Sequence, residues 1–405
     1  MQILYLTNGF PFPLTSGYLR HYFLIKELSR SHKVTLLSIV GPGFHPEHAT
    51  ALTPYTERIR TFASSSRSSS PSGKVAKRLR ALTQPGDAVQ AMRETVAQLA
   101  QEVHFDVVIS GKRTMAAIEP VKHLLLVADM CDATSSRIRR SIRYADPIRL
   151  PLLLLEYLQM RRTEQQFMRQ ADHSLFISSR DRDDLGAHGA GTSIVPNGVD
   201  LDFWQRKSTR RSRHTIVFTG AMDYRPNADA ALYLIKEILP LVQREVREAQ
   251  LFIVGRDPTP PLLAAGQRPG VTVTGFVDDV RPYLEQATVF AAPLRFGAGL
   301  QNKVLEAMAM EVPVVASPLA ADGLRTEEGE QPPIQIVQGA PSFASALIQK
   351  LKEDSLALDT EARRFIERNF VWDYSGNKLN RILECVVNGD QQRYRTSSAS
   401  AVRSY

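Results

Sequence analysis

The sequence is poor in cysteine and tryptophan, with two residues of each. Cys131 and Cys385 lie far apart, so they form neither a disulfide framework nor, by themselves, a metal site, and a cytosolic location is the simplest interpretation. No apolar run reaches the roughly 18 residues that a membrane-spanning helix needs, and the nearest one, 150–158, is interrupted by Pro151 and Glu156. The first residues lack the basic start and the long apolar core of a signal peptide and favour a strand instead.

Positive charge, by contrast, is in excess, with a formal net charge of +8 and a pI near 9.5. The excess is concentrated around an apolar segment at 147–158. One interpretation is that this region binds an anionic membrane surface, where each basic side chain contributes about 1 kcal/mol. The other is a solvated helix face with Glu156 and Glu164 as local partners. Nucleic acid is disfavoured, because no recognised binding motif accompanies the charge. The basic residues concerned are Arg137, Arg139, Arg140, Arg143, Arg149, Arg161, Arg162 and Arg169.

In the first half of the chain, apolar strand-like runs alternate with helical periodicity, which predicts an α/β domain. A loop rich in Gly and Pro at 8–17 separates the first strand from the first helix, and together with the second strand they form a βαβ unit. A Ser-rich stretch at 63–73 predicts an exposed loop. The predicted strands are 2–7, 33–40, 107–110, 123–129 and 173–178, with a helix at 18–31.

The second half repeats the alternation, so we predict two doubly wound domains, 1–196 and 214–371, joined by a linker at 197–213. The polar tail at 389–405 predicts disorder. Two such domains form a cleft between the carboxyl ends of their strands, which is where sheets of this kind bind ligands. The predicted strands are 215–219, 250–254, 271–274, 289–292, 312–316 and 334–337, and the predicted helices are 228–245, 280–286, 303–310, 341–354, 359–369 and 372–388.

The most informative local pattern is a strand, a glycine-bearing loop and a helix start in the second half. Gly297 and Gly299 precede the predicted helix, whose free N–H groups and positive dipole end suit a phosphate. Lys303 in its first turn is unfavourable there unless an anion lies in front of the helix. Glu306, one turn further on, is placed to accept hydrogen bonds from ribose hydroxyls. This pattern predicts a nucleotide or sugar-phosphate pocket. The alternative is a glycine-capped loop with a solvated Lys–Glu pair.

The stretch GLQNKVLEAMAMEVPVVAS at 299–317 resembles the C-terminal signature of glycosyltransferase family 4, the glycosyl transferases group 1. TGAMDY-x-PN and QNKVLEAMAM are also similar to a bacterial subgroup of sugar transferases associated with exopolysaccharide gene clusters. Matches in the family's order cover roughly 195–325. The other matching stretches are VPNGVD (195–200), FTGAMDYRPNADA (218–230), LFIVGRDP (251–258) and VTVTGFVDDVRPYLEQATVFAAPL (271–294).

The resemblance implies the GT-B fold, in which two Rossmann-like domains face each other across a cleft and the last helix, about 372–388, completes the N-terminal domain. It implies retaining, metal-independent transfer of a hexose-type sugar from a nucleotide diphosphate sugar, UDP first and GDP second, with no further cofactor. The expected acceptor is a glycan, a lipid-linked glycan or a small molecule. A place in bacterial surface polysaccharide or glycoconjugate synthesis follows, in the cytoplasm or peripherally on the inner face of the membrane.

The resemblance also implies roles for individual residues. Glu306 holds the ribose, and backbone amides at 299–301 face the transferred sugar and the diphosphate. Phe276 and Val277 contact the base through backbone groups, and Gly17 belongs to the loop that closes over the donor phosphates. The complete predicted donor set is Gly17, Gly220, Arg225, Arg256, Gly275, Phe276, Val277, Gly299, Leu300, Gln301, Asn302, Lys303 and Glu306.

The sequence departs from the family pattern at three positions. Ala298 stands where the family has a Glu near the donor sugar, and Ala221 and Asn227 stand near the usual Arg and Lys. Ala298 keeps a second hypothesis open, a catalytically silent nucleotide-sugar-binding partner subunit. A nucleotide-sugar epimerase, which can share the architecture, is a third. The residues expected to supply charge for the diphosphate instead are Arg225, Arg256 and, first of all, Lys303 at the helix start.

In the N-terminal half, Asp129 and Asp132 follow a predicted strand at the edge where the cleft should lie. We predict that Asp132 faces the donor sugar, as a base or as a hydrogen-bond acceptor, in a region where the family often places a His. The alternative is a turn or helix-cap role with Thr134 and Ser135. Asp132 and Lys303 are the predicted catalytic residues.

Overall fold

A computed structural model of the chain describes residues 1–14, 18–64, 86–145, 147–189, 191–208, 212–353 and 358–389. Within them, two sheets made only of parallel strands follow one another along the chain. Parallel strands are buried on both faces and therefore read as continuous apolar runs, which is the pattern on which the strand predictions depend.

The first sheet has seven strands in the order β3-β2-β1-β4-β5-β6-β7. The chain runs outward from β1 in one direction and then returns to continue from β4 in the other, which is the doubly wound arrangement. Its strands are β1 (Gln2–Asn8), β2 (Lys33–Val40), β3 (Arg58–Ala63), β4 (Val107–Gly111), β5 (Leu125–Cys131), β6 (His173–Phe176) and β7 (Thr192–Ile194). Its α-helices are α1 (Leu19–Leu28), α2 (Asp87–Glu102), α3 (Thr134–Ile142), α4 (Leu150–Gln170) and α5 (Ser179–Leu185), and its 3₁₀ turns are Pro46–Ala51, Thr53–Tyr55, Met115–Val121 and Pro147–Arg149.

The two faces of this sheet form separate cores, because side chains of a strand alternate between faces. Ile3 and Tyr5 belong to one buried cluster, and Leu4 and Leu6 belong to the other. The first cluster includes residues of the last helix of the chain, whose Trp372 stacks on Phe23 of α1 with ring centres 4.7 Å apart. The last helix therefore packs on the first sheet, although it follows the second one in sequence.

The second sheet has six strands in the order β10-β9-β8-β11-β12-β13, again doubly wound. Its strands are β8 (Thr215–Thr219), β9 (Gln250–Val254), β10 (Val271–Val273), β11 (Val289–Ala292), β12 (Val314–Ala316) and β13 (Gln335–Ile336). The helices are α6 (Arg225–Tyr233), a π-helical turn (Leu234–Ile238), α7 (Leu239–Glu245), α8 (Pro260–Ala265), α9 (Arg281–Gln286), α10 (Asn302–Ala309), α11 (Pro318–Asp322), α12 (Ala340–Lys352), α13 (Thr360–Asn369) and α14 (Trp372–Val387).

Two boundaries differ from the predictions because of proline. The predicted helix 228–245 begins at Arg225 and changes to a π-helical turn before Pro240, which has no N–H for the regular ladder. The strand predicted at 312–316 begins at Val314, after Pro313. Most of the predicted Ser-rich loop and nearly all of the predicted tail lie outside the described residues.

The chain crosses between the two sheets twice, and the crossings lie side by side. The Val199 amide donates to the Phe370 carbonyl at 2.7 Å, and Val199 forms an isolated parallel bridge with Val371. Farther from the crossings, side chains that follow β5 and β6 contact the loop that follows β11. The carboxyl ends of both sheets therefore border one cleft.

Candidate active site

The switch point of the second sheet lies between β8 and β11, where the strand order reverses. The loop after β8 and the helix after β11 meet there. A Cβ atom on Gly220 would lie 2.6 Å from Asn227 Nδ2 and 3.4 Å from Lys303 Cε. Ligands of doubly wound sheets bind at such a point, so the predicted phosphate site is at the place that the topology favours.

Asn227 fixes the position of the Lys303 ammonium group. Lys303 Nζ donates to Asn227 Oδ1 at 2.6 Å, and Asn227 Nδ2 donates to the Ala221 carbonyl at 3.0 Å. The ammonium group also lies 5.5 Å from the centre of the Phe218 ring. Sequence reasoning treated Asn227 only as the loss of a cation, whereas in the structure it orients the cation that is present.

Lys303 and Glu306 lie one turn apart on α10, and both are half-buried. Desolvation lowers the pKa of Lys303 to about 8, against the opposing effect of Glu306. Desolvation likewise raises the pKa of Glu306 to about 7, with Lys303 acting in the opposite direction. The pair is not the solvated surface pair of the alternative interpretation, because loss of water dominates at both groups.

The loops after β9 and β10 border the same edge. The Met222 amide donates to the Arg256 carbonyl at 2.8 Å, which joins the loops after β8 and β9. The Arg256 side chain pairs with its neighbour Asp257 at 2.5 Å. Phe276 follows Gly275 with 65% of its surface exposed, whereas Val277 packs against the core. An exposed ring at this edge leaves room for a planar group beside it.

Two other predicted donor residues are located less centrally. Arg225 is the first residue of α6, is exposed, and has its guanidinium carbon 5.9 Å from the centre of the Phe296 ring. Gly17 lies outside the described residues.

The loop before α10 is in contact with the first domain. A Cβ atom on Gly299 would lie 3.0 Å from Ile177 Cδ1 and 3.3 Å from Asp132 Cβ. The Gly299 amide donates to Asp181 Oδ1 at 3.1 Å, and its carbonyl accepts from Arg180 Nη2 at 2.9 Å. In this arrangement of the domains the amide is taken up by a carboxylate, so its contact with a sugar or a diphosphate stays a prediction.

The next three residues differ in how they are held. Leu300 is buried in the core of the second domain. The Gln301 side chain donates to the Ala298 carbonyl at 3.3 Å. Asn302 Oδ1 accepts from Asn197 Nδ2 of the predicted linker at 3.1 Å, so the start of α10 is tied to the crossing between the domains.

Asp132 lies at the cleft beside Gly299, with about a third of its side chain exposed. It accepts from Thr134 Oγ1 at 3.1 Å, and Lys112 and Arg137 place positive groups 3.8 and 3.9 Å away. It is not a helix cap, because the N-cap position of α3 is Ala133 and the Asp132 carboxylate accepts from a hydroxyl group. The geometry leaves the predicted role at the sugar open to Asp132.

Asp129 has a different environment, although it is only three residues away. Its carboxylate is 1% exposed and pairs with Arg20 Nε at 2.9 Å. Burial alone would raise the pKa of Asp129, but the adjacent Arg20 holds that pKa below its usual value. Arg20 also donates to the Val195 carbonyl and to Asn197 Oδ1. Asp129 therefore belongs to a buried network that supports the linker.

Several residues at the cleft were missed by sequence reasoning. Burial raises the pKa of Tyr224 to about 12, and the Arg137 guanidinium lies 5.8 Å from its ring centre. Asp181 lies in the first turn of α5, and its carboxylate accepts a hydrogen bond from the hydroxyl group of Ser178, the N-cap residue. The same carboxylate accepts from the Gly299 amide across the cleft. The S-x-x-D spacing of Ser178 and Asp181 is a recognisable helix-start signal, but it says nothing about that second contact. The missed residues are Lys112, Arg140, Arg180, Asp181 and Tyr224.

In the part of the chain that the structure describes, no cluster of three or more His, Cys, Asp or Glu side chains is arranged to hold a metal ion. None of the described helices is both long enough and apolar enough to cross a membrane.

Comparison with known proteins finds a family model that matches part of the second half of the chain. Residues 213–353 match the family model described as glycosyl transferases group 1. A phosphatidyl-myo-inositol mannosyltransferase of Mycolicibacterium smegmatis is 30% identical over 226 residues, which cover 53% of this chain and 57% of the relative. The chain thus spans little more than half the length of the curated relatives it matches.

Two solved structures share the fold over nearly the whole chain. HepE of Anabaena, in complex with UDP and glucose, superposes with a TM-score of 0.63 at 14% identity and covers 94% of this chain and 99% of its own. TarM of S. aureus, in a complex that contains UDP, superposes with a TM-score of 0.65 at 10% identity and covers 95% and 100%. The two parallel sheets, the cleft and these matches confirm the predicted GT-B fold, and residues 213–353 of its second half match the model of the glycosyl transferases group 1.

Proposed function

We propose that this protein transfers a hexose-type sugar from a nucleotide diphosphate sugar to a glycan or a lipid-linked acceptor. The observation that carries the proposal is the meeting of Gly220, Lys303 and Glu306 at the switch point of the second sheet, inside the matched family region. A cation at a helix start suits a diphosphate, and a carboxylate one turn later suits ribose hydroxyls.

For the donor, we propose UDP as the nucleotide, with GDP second. Support comes from HepE and TarM, both of which were solved with UDP. The diphosphate would lie before α10 near Lys303, and Glu306 would accept hydrogen bonds from the ribose. The base would lie at the edge formed by Phe276 and Val277, where the exposed ring leaves room.

For the reaction, we propose transfer with the domains closed over the donor. Asp132 faces the sugar from the first domain, and exclusion of water limits hydrolysis of the donor. The leaving diphosphate gains negative charge, which Lys303 and the start of α10 stabilise. This supports chemistry that needs no metal ion, so turnover should persist in the presence of EDTA. Retention of the anomeric configuration follows from the resemblance to family 4.

For the acceptor, we propose a lipid-linked glycan of bacterial surface polysaccharide or glycoconjugate synthesis. Support comes from the M. smegmatis relative, which is named as a phosphatidyl-myo-inositol mannosyltransferase. A lipid-linked acceptor would place the protein peripherally on the inner face of the membrane.

The donor site is tested by thermal shift with UDP, GDP, ADP and dTDP sugars. One nucleotide family should raise the melting temperature by about 5 °C at a concentration near 100 Kd. Lys303→Ala and Glu306→Ala should each abolish that shift. Lys350 and Glu353 provide the matched control, because they are a Lys and a Glu with the same three-residue spacing, at the end of α12, where they form an ion pair 3.0 Å apart. Alanine at those positions should leave the shift intact.

Three outcomes would overturn the proposal. Failure of every nucleotide sugar to stabilise the protein at millimolar concentration would remove the donor site. Donor binding without turnover, with several glycan and lipid-linked acceptors present, would favour a silent partner subunit. Conversion of the donor sugar in the absence of any acceptor would instead indicate an epimerase, and slow release of free sugar is all that a transferase should show.

A further inference from the structure

A group of exposed apolar side chains covers the first turns of α4 and the 3₁₀ turn before it. We call this group the α4 apolar surface, and its exposed fractions range from 42% to 88%. Contiguous apolar surface of this kind marks a site of interaction with a membrane or a protein, whereas single exposed apolar residues are normal. Its members are Ile148, Leu152, Leu154, Leu155 and Leu158.

Helix geometry explains why these residues face outward together. Leu154 and Leu158 are four residues apart, Leu155 and Leu158 three apart, so they lie on one face of α4. The opposite face anchors the helix in its second half, where Phe167 is buried and the buried Glu164 accepts from Lys112 at 3.2 Å. The first half of α4 is therefore held in place by the second, with its leucines left exposed.

The rim of the α4 apolar surface is basic. Arg149 precedes the helix, and Arg162 lies four residues beyond Leu158 on the same face; both arginines are exposed. Neither of them forms an ion pair with another described residue. The segment 147–170 contains two acidic residues, Glu156 and Glu164. Glu164 is fully buried, so it adds no negative charge to the surface. Apolar side chains with arginines around them match an anionic lipid surface, because insertion of the apolar groups and attraction of the arginines to the headgroups both favour binding.

The surface adjoins the interdomain cleft. Tyr144, four residues before Ile148 and 41% exposed, stacks on Phe296 of the second domain with ring centres 5.4 Å apart. Tyr144 and Arg140 also line a cavity of about 650 Å³, together with Tyr233 at the end of α6 and with residues at the carboxyl ends of β11, β12 and β13. A molecule held by its lipid tail at the α4 apolar surface would thus have its polar part next to the space between the domains.

We propose that the α4 apolar surface docks on an anionic phospholipid bilayer, with its leucines inserted among the lipids and its arginines on the headgroups. A second copy of the chain is a poorer occupant, because a symmetric contact would set the two arginine rims against each other. The proposal deepens the proposed function and rests on it only in naming the bilayer as the source of a lipid-linked acceptor. The lipid contact itself is measured without any sugar transfer.

The test is cosedimentation of the full chain with vesicles of phosphatidylcholine alone or of phosphatidylcholine mixed with phosphatidylglycerol. We expect binding to the mixed vesicles, weakened by added salt. The triple change Leu154→Gln, Leu155→Gln and Leu158→Gln should lower the partition coefficient at least about 30-fold, since three apolar side chains no longer insert. The substitutions Arg149→Gln and Arg162→Gln should each lower the partition coefficient about fivefold.

Matched controls come from exposed residues outside this surface. Leu263 of α8 is 45% exposed, as Leu155 is 44%, and Leu263→Gln should leave vesicle binding unchanged. Arg364→Gln and Arg381→Gln remove two exposed arginines from other helices and should have the same null effect. Equal melting temperatures of all variants would show that loss of binding is not loss of folding.

Three results would overturn the inference. These are absence of binding to mixed vesicles, full binding by the triple leucine variant, and a dimer in sedimentation velocity that the triple variant converts to a monomer. The last result would assign the surface to a second copy instead. Vesicle binding by a protein that binds no nucleotide sugar would overturn the proposed function and leave this inference standing, so the two failures are distinguishable.

Discussion

Lys303 and Glu306 are two half-buried groups of opposite charge whose pKa values both move toward the neutral form. Desolvation is the larger cause for each, and the attraction between the two only partly offsets it. A diphosphate in front of Lys303 would favour the charged ammonium group and reverse its shift. Donor binding and protonation of Lys303 are therefore linked.

We expect the affinity for a nucleotide sugar to fall as the pH rises above about 8, the pKa of Lys303 in the free protein. Below that pH the ammonium group is already charged and attracts the diphosphate. Above it, binding must first restore the proton, so affinity falls by up to about tenfold for each pH unit until the higher pKa of the complex is reached. Calorimetric titration from about pH 7 to about pH 10 measures the slope.

The Lys303→Arg variant separates this effect from other titrations. Arginine keeps its charge over the whole range, so the variant should lack the decline that begins near the pKa of Lys303. The uracil or guanine ring of the donor loses its own proton toward the alkaline end, equally for both proteins, so the effect of Lys303 is the difference between them. An equal decline in both proteins would assign the pH dependence to another group and would remove Lys303 from the diphosphate site.

Asp129 and Asp132 should respond to mutation in different ways. Asp132→Asn is expected to reduce turnover about 100-fold with little change in donor affinity, because the carboxylate lies at the cleft in the first domain. Asp129→Ala is expected to lower the free energy of unfolding by about 3–5 kcal/mol, because it leaves Arg20 buried without its partner. Steady-state kinetics with calorimetry measures the first effect, and urea unfolding measures the second.

Either expectation can fail separately. A folded Asp132→Asn protein with normal turnover would exclude this carboxylate from the reaction. An Asp129→Ala protein as stable as the native one would show that water solvates the Arg20 guanidinium, which would contradict the burial of that network.

Among the loops, those after β9 and β10 offer a comparison between two glycines. Gly255 has φ +148°, and a Cβ atom there would lie 1.9 Å from the Gly220 carbonyl oxygen. Gly275 has φ +71°, and no described atom lies within 4 Å of such a Cβ. Gly255→Ala should therefore cost about 3 kcal/mol or more of stability, from strain and overlap together. Gly275→Ala should cost about 1 kcal/mol, from strain alone.

Urea unfolding of the two variants measures the difference, and thermal shift with a nucleotide sugar adds a second readout. Gly255 packs directly against the backbone of Gly220, so a side chain at position 255 should displace the Gly220 loop. The Gly255→Ala variant should therefore also lose donor binding. Comparable stability of the two alanine variants would mean that the loops after β8 and β9 separate at little cost, contrary to the packing described here.

Strongly apolar elements were predictable, and elements held by their neighbours were not. The core strands β1, β8 and β9 begin where the sequence predicts, because a strand buried on both faces reads as an apolar run. The edge strand β3 was missed, since its six residues RIRTFA are mostly exposed and polar. The change to a π-helical turn at 234–238 was missed, because the apolar periodicity of 228–245 continues across Pro240 as if one regular helix were present.

The same distinction applies to the site. That Lys303 and Glu306 lie together could be predicted, because they are one turn apart on a helix start that follows a glycine loop, whereas Gly220 was included only because its loop resembles the family. Asn227 and Asp181 were not, since each acts through a tertiary contact that depends on the strand order or on the other domain. The resemblance to the family identified site residues only where the sequence keeps the family's motifs. At Asn227 it departs from the motif, so the residue was noted only as a missing cation.

Between the two domains, most side-chain contacts converge on the loop that would receive the donor. Arg140 Nη1 donates to the Gly297 carbonyl at 3.0 Å, and Asp181 accepts from the Gly299 amide. Arg180 donates to the carbonyls of Gly299 and Leu319 at 2.9 and 2.7 Å. In this arrangement the first domain occupies backbone groups of the loop that we propose as part of the donor site, so we expect donor binding to require the domains to separate first.

We therefore expect Arg180→Gln to favour the separated arrangement. The change removes both carbonyl contacts and an ion pair with Asp322 at 3.7 Å. Charge-assisted hydrogen bonds contribute about 1.5–3 kcal/mol each, so loss of part of this energy should speed donor association up to about tenfold. The radius of gyration of the donor-free protein, measured by small-angle X-ray scattering, should increase at the same time.

Arg363→Gln is the matched control, because Arg363 also donates to two carbonyls, those of Trp204 and Ala309, but on the side of the second domain away from the cleft. Its loss should lower stability without changing the radius of gyration or the association rate. Slower donor association in Arg180→Gln, with an unchanged radius, would mean that the contact holds Gly299 in a conformation that the donor needs. The arrangement described here would then be a preformed binding state, and opening would not precede donor binding.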